Sequence, residues 1–462
     1  MRQSRALTLM ALIFMLVVSF PATSQQTSPL DKQIAQGQEA YNRGDYATAL
    51  SLWEPLLDPV RSGGNQQRFG DLVFNVALAN YQFSNTDKAL YGFQQALAIY
   101  HEIKNRLGET NSLRNIGNVE EDLGRYDEAL SSHQQALVIH RELKNQLGEA
   151  IDLGNIGVVE KDLGRYDDAL NSYQQALAIL REFNNRLGEA IVLDDIGVVE
   201  KDLGRYDDAM SWYQQALSID REIKDRLEEA NALGNIGNVE QDLGHYDDAL
   251  RSEQQALVIH RELKNRLGEA NALGSIGNVN DLLGHFDEAL SSHQQALGTD
   301  RELKNRLGEA SDLGNIGIVE KDLGRYDDAL SSYQQALAIL REFKNRIGEA
   351  IALDNIGIVE KDLGRYNDAL SSYQQALIVD REIKDRLGEA NALGNIGGVE
   401  MLLGRYDDAL SSHQQALTIA RKIKNRLGEA SDLGNIGIVE ENLGRYDEAL
   451  GCAHQAETLG QF

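Results

Sequence analysis

Residues 230–267, ANALGNIGNVEQDLGHYDDALRSEQQALVIHRELKNRL, contain nearly one full period of the chain and decide its fold. Leu233, Ile236, Gly237, Val239 and Leu243 recur at helical spacing and predict a first amphipathic helix that ends at Gly244. Tyr246, Ala249, Leu250, Ala256, Leu257 and Ile259 repeat the pattern in a second helix, whose first turn holds Asp247 and Asp248, where the helix macrodipole favours acids. Asn265 is expected to close the unit as a left-handed cap, with the next helix starting near Leu267. Glycine inside a helix costs about 1 kcal/mol against alanine, so Gly237 and Ala249 are expected to offset that cost by close helix crossing, small against small. Each period is thus a helical hairpin.

The period is 40 residues: Gly117, Gly157, Gly197, Gly237, Gly277, Gly317, Gly357, Gly397 and Gly437 occupy one place in nine successive repeats. A fixed period of this length signals a solenoid, in which each unit buries its apolar face against its neighbours. Two weaker units precede the nine, one from Gln36 to Trp53 and one from Ala77 to Leu97, with DPVRSGGN (Asp58 to Asn65) between them expected as a loop. The expectation is an all-α chain of about eleven antiparallel hairpins. The four prolines all fall at or before Pro59, so nothing later interrupts a helix. Ile151 to Ala190 and Ser311 to Ala350 agree at about 35 of 40 places, closer than adjacent repeats do, as expected if a block of four repeats was duplicated whole.

The set I-G, then L-G-x-Y-D-x-A-L, then Q-Q-A-L resembles the tetratricopeptide repeat, in the 40-residue form found in kinesin light chain and the Pins-type adaptors. The resemblance implies a right-handed superhelical solenoid with the first helix of each hairpin on its concave wall. It divides the chain into 25–106, two divergent repeats acting as an N-terminal cap, and 107–462, nine regular repeats. In peptide-binding relatives an asparagine before the I-G or L-G pair bonds the backbone of an extended ligand. The matching residues are Asn115, Asn155, Asn235, Asn315, Asn355, Asn395 and Asn435, interrupted by Asp195 and Ser275, with Asn118, Asn238 and Asn278 one turn on. An amide carries both a donor and an acceptor, so such a row can pair with successive peptide units; bonding within the solenoid is the alternative. Beside the row, Ile151, Val158, Ile191, Val198, Ile318, Ile351 and Ile358 give apolar stretches and Asn231, Asn238, Asn271 and Asn278 a polar one. Gly154, Gly234, Gly274, Gly314, Gly394 and Gly434 leave the floor open for a bound backbone, or else serve helix packing.

Where many repeats of the family place a bulky aromatic, this chain has Glu120, Glu160, Glu200, Glu240, Glu320, Glu360, Glu400 and Glu440, with Asn280 in the fifth repeat. A partly buried carboxylate needs a partner. The regularly spaced Arg141, Arg181, Arg221, Arg261, Arg301, Arg341, Arg381 and Arg421 are expected to supply it as an ion-pair ladder; a ligand-facing acid row is the alternative. Tyr173, Tyr213, Tyr333 and Tyr373 are expected in the core, with Trp212 beside them. The nine histidines lack metal-site spacing, and no phosphate loop, G-x-S-x-G elbow or H-E-x-x-H occurs, so no catalytic, cofactor or metal site is expected.

A formal charge of −27 argues against nucleic acid or an anionic bilayer as partner. Residues 1–24 read as a secretory signal peptide, with Arg2 and Arg5 before the apolar run Ala6 to Phe20 and small residues at Ala22-Thr23-Ser24. The expected destination is the periplasm or exterior of a bacterium, with no membrane insertion after cleavage; an uncleaved N-terminal membrane anchor is the alternative. Cys452 is the only cysteine, so packing alone holds the exported chain. The function expected is a non-catalytic scaffold holding a polypeptide segment or partner protein in its groove. A regulatory subunit of an enzyme such as a CHAT-type protease, or a module that dimerises through its C-terminal repeat and Cys452, are the alternatives.

Overall fold

The computed structural model describes residues 28–460, and the expected signal peptide lies outside the described residues. Among these, every regular element is a helix. Two hairpins come first, Pro29–Asn42 with Tyr46–Trp53 and Gln66–Gln82 with Thr86–Glu102. Nine more follow at the 40-residue period, from Arg106–Asp122 with Tyr126–Glu142 to Arg426–Asn442 with Tyr446–Gly460. The chain divides into two compact parts, residues up to 232 and residues from 233 onward.

The turn inside every hairpin but the second, where Ser84 takes φ +61°, follows from glycine. Gly164 stands at φ +72°, beyond the helix Gln146–Asp162, and its N–H and that of Arg165 return to Lys161 and Glu160 carbonyls at 2.9 and 2.8 Å. The turn between hairpins reaches the same left-handed conformation with a different residue. There Lys264, not Asn265, takes φ +55°, while the Asn265 side chain caps the following helix by accepting the Gly268 N–H at 3.0 Å. This corrects the expected left-handed Asn265, and the helix starts at Arg266. The physical reason is competition for the asparagine: an N-cap bond satisfies an orphan donor and is worth about 1 kcal/mol. The lysine before it accepts the strained conformation, held by the bond from Asn265 N–H to the His260 carbonyl at 2.9 Å.

The segment expected as a loop also differs. Residues Leu57–Ser62 form a short helix continuing a 3-10 turn, Glu54–Leu56, because Leu56 and Val60 then bury against the first hairpin. Pro59 lies in the first turn of that helix, where a missing N–H has no partner to lose.

In the first eight regular repeats the close approach is of glycine to a large side chain, not to alanine. A Cβ on Gly157 would lie 2.7 Å from the Tyr173 ring, and one on Gly237 would meet Glu253 at 3.0 Å. Ala169 and Ala249 are fully buried one turn earlier in the second helix. Tyr173, Tyr213, Tyr333 and Tyr373 form the core as expected, and Trp212 packs partly buried against it. Cys452 is likewise part-covered, packed on Leu417, Leu433 and Ile436, and burial pushes its thiol pKa up.

Candidate functional site

Each first helix buries one side and leaves the other open. In the sixth repeat, Leu313, Ile316 and Val319 are buried, whereas Leu307, Ser311, Gly314, Asn315 and Ile318 fall on the accessible side at i, i+4, i+7, i+8 and i+11. The asparagine row lies at the margin of that side. Asn235, Asn315, Asn355, Asn395 and Asn435 are half-buried, as are Asn118 and Asn238, and Asn278 is exposed. Asn115 and Asn155 are buried: Asn115 donates to the Asn111 carbonyl at 2.8 Å, and the Asn155 amide nitrogen has no acceptor. Asn395 donates to Asp354.

The glycines one residue earlier open the same side. A Cβ built on Gly154, Gly274, Gly314 or Gly434 meets nothing within 4 Å, so helix packing does not require glycine there. Ile351 is exposed, and Ile151, Val158, Ile191, Val198, Ile318 and Ile358 are half-buried.

The glutamate row has partners other than those expected. Glu120, Glu160, Glu240, Glu320, Glu360 and Glu400 accept the hydroxyls of Ser132, Ser172, Ser252, Ser332, Ser372 and Ser412 at 2.7–2.8 Å. Glu200 and Glu440 accept from Arg205 and Arg445 at 3.0 Å, and Asn280 bonds the Ile276 carbonyl. Antiparallel geometry is the reason: the end of a first helix adjoins the start of its own second helix. Burial raises the pKa of Glu120, Glu160, Glu320, Glu360 and Glu400 against the lowering effect of those hydroxyls.

The arginines do form a ladder, with the glutamate of the next repeat's R-L-G-E turn. Arg181 Nε donates to Glu189 at 2.8 Å, and Arg186 bridges Glu189 and Glu222 at 2.6 Å each. Arg261 with Glu269, Arg301 with Glu309, Arg341 with Glu349 and Arg381 with Glu389 repeat it at 2.8–2.9 Å. Burial opposes ionisation of Glu229, Glu269 and Glu309, but the paired guanidinium groups outweigh it and hold each pKa below its ordinary value.

Sequence reasoning missed a third set, buried charged groups where successive repeats meet. Arg114 Nε and Nη2 donate to Asp152 Oδ1 at 3.1 and 2.9 Å, and His140 Nδ1 bonds Asp152 Oδ2. Asp220 is buried beside Asp194, Asp225 and Glu228, and desolvation with those charges pushes it up to about 8. Desolvation and Asp380 push Asp354 up to about 7, and Asp380 itself reaches about 6. Glu253, in the place of the core tyrosine, is driven by burial up to about 8 while bonded by Ser275. The signal available in the sequence was departure from the repeat pattern at internal places, such as Arg114 where most repeats have glycine. Among the described residues no three His, Cys, Asp or Glu side chains converge to hold a metal ion.

The tetratricopeptide repeat profile matches at residues 68–142, 108–182, 148–222, 188–262, 228–302, 309–382 and 388–460. The chain belongs to the tetratricopeptide repeat family. No curated protein matches it. Among solved structures it is similar to a STAND signal-transduction ATPase with a tetratricopeptide repeat sensor from Pyrococcus horikoshii, at 16% identity over 76% of this chain and 53% of that one, TM-score 0.55. It is similar also to the apo quorum sensor NprR of B. thuringiensis, at 14% identity over 76% and 98%, TM-score 0.54. A third is a Rap protein complexed with competence and sporulation factor, at 18% identity over 76% and 98%, TM-score 0.50. At these identities the likeness is one of fold. This tetratricopeptide repeat protein therefore shares an all-α hairpin solenoid with those structures, and its family supports a protein-interaction scaffold.

Proposed function

We propose that this chain is a non-catalytic scaffold that holds an extended polypeptide segment along the accessible side of its first helices. The observation that carries the reading is the open floor of the sixth and ninth repeats, where Gly314 and Gly434 face empty space beside the half-buried amides of Asn315 and Asn435. A ligand backbone can then approach closely and exchange hydrogen bonds with the amides whatever its side chains. Asn315, Asn355 and Asn435 are the amides best placed for this. Export through the N-terminal segment accompanies the reading, which puts the partner outside the cytoplasm.

The test is recovery of partners from envelope extract by wild type and by a variant with Asn315, Asn355 and Asn435 changed to alanine. The expected result is loss of the partner at unchanged thermal stability; equal recovery would overturn the amide row. A second reading, a sensor governing a partner enzyme, draws on the sensor roles named for the Pyrococcus and NprR proteins. A recovered partner whose enzymatic activity changes on binding would favour it.

A further inference from the structure

Asp152, Asp312 and Asp432 occupy one place in the second, sixth and ninth repeats, with 0, 6 and 7% of their surface exposed. A carboxylate so buried is costly unless paired or protonated. Asp152 has the Arg114 guanidinium and His140, and Asp432 has His413 Nδ1 at 3.2 Å. Asp312 has no such partner: its Oδ2 meets no donor, and His293, in the place of His413, leaves Nδ1 without a bond. In the place of His140 stands Asp300, itself buried, a second carboxylate beside the first.

The missing group can be named, because the first block shows it. Arg114, His140 and Asp152 recur 160 residues later as Gly274, Asp300 and Asp312. The second block keeps the carboxylate and lacks the guanidinium. Gly274 is half-buried, on the same side as the exposed Asn271 and Asn278, and a Cβ there would enter open space.

We infer that Asp312 and Asp300 form a pocket for the guanidinium of an arginine carried by the bound polypeptide, entering over Gly274 and taking the place that Arg114 fills in the first block. This rests on the groove reading for the source of the arginine, not for the pocket. Guanidinium suits the site better than ammonium, since its planar fork gives directed, charge-assisted bonds, as Arg114 does with two nitrogens on Asp152. Its charge also relieves two neighbouring carboxylates inside a chain of net charge −27.

The experiment uses the full chain with three probes: arginine amide, the blocked peptide Ala-Ala-Arg-Ala-Ala, and the same peptide with citrulline, which keeps the shape without the charge. Binding is measured by calorimetry and thermal shift on wild type, Asp312→Asn and Gly274→Arg, each first checked for native helicity. The arginine peptide is expected to bind about tenfold more tightly than the citrulline peptide, an advantage both variants abolish. Gly274→Arg, which fills the pocket from within, is expected to raise the melting temperature. Equal binding of the two peptides overturns the pocket and leaves the groove standing. An arginine advantage that persists in Gly274→Arg overturns it as well. If neither peptide binds but arginine amide stabilises wild type alone, the pocket stands and the groove reading fails; if arginine amide too has no effect, the pocket fails with it.

Discussion

The junction of the first and second repeats and that of the fifth and sixth have the same backbone and the same buried aspartate, yet they differ in what completes it. At the first, Arg114 and His140 close around Asp152. At the other, Asp312 lies beside Asp300, and Gly274 stands in the place of Arg114. One place in a repeat can therefore be structural in one copy and open in another, and the residue that decides it lies on the preceding repeat.

The comparison breaks most readily at Arg114. Arg114→Gly, which makes the first junction resemble the second, is expected to cost about 3–5 kcal/mol, because it leaves a fully buried carboxylate without its guanidinium. Urea unfolding checks it, and a loss below about 1 kcal/mol would mean that the two junctions are equivalent after all.

Next is the pH dependence of Asp312. Burial, then Asp300, push its pKa from the ordinary 3.8 up to about 7. Between these values the folded state holds a proton that the unfolded state has released, so stability falls as pH rises from about 4 to about 7 and is level above. Asp312→Asn is expected to remove that part of the slope, gaining on the order of 1–3 kcal/mol at pH 8 and nothing at pH 3.5. Melting curves across this range decide it; an unchanged slope would show that Asp312 is not the strained group.

Where the blocks agree, the effects should agree. Ser172→Ala and Ser332→Ala each remove a 2.7 Å bond to a half-buried glutamate and should each cost about 1 kcal/mol. Unequal losses by calorimetry would extend the difference between blocks beyond the junctions. The smallest effect belongs to the arginine ladder: Glu189→Gln and Glu349→Gln should each cost about 0.5 kcal/mol, less at high salt, since Arg181 and Arg341 are about half exposed.

Much of this was legible in the residues. Helical spacing around Leu233 and Ile236, the glycine after the first helix of each regular repeat and the acids in the first turn of its second helix act within a few residues, so they could be read locally. Asn265 was misassigned because capping and left-handed closure use the same residue type, and only the position of the Gly268 N–H distinguishes them. The glutamate row was given the wrong partner because Arg141 recurs with the same period as Ser132, and period alone does not say which end of a helix faces which.

The sequence by itself determined the period, the hairpins and the places that repeat, because these follow from short-range propensity and from burial of one helical face. Only the tertiary structure decided which charges meet. Asp152 and Arg114 are 38 residues apart, and the link between them exists because one repeat stacks on the next and excludes water from both. The same stacking leaves Asp312 without that link.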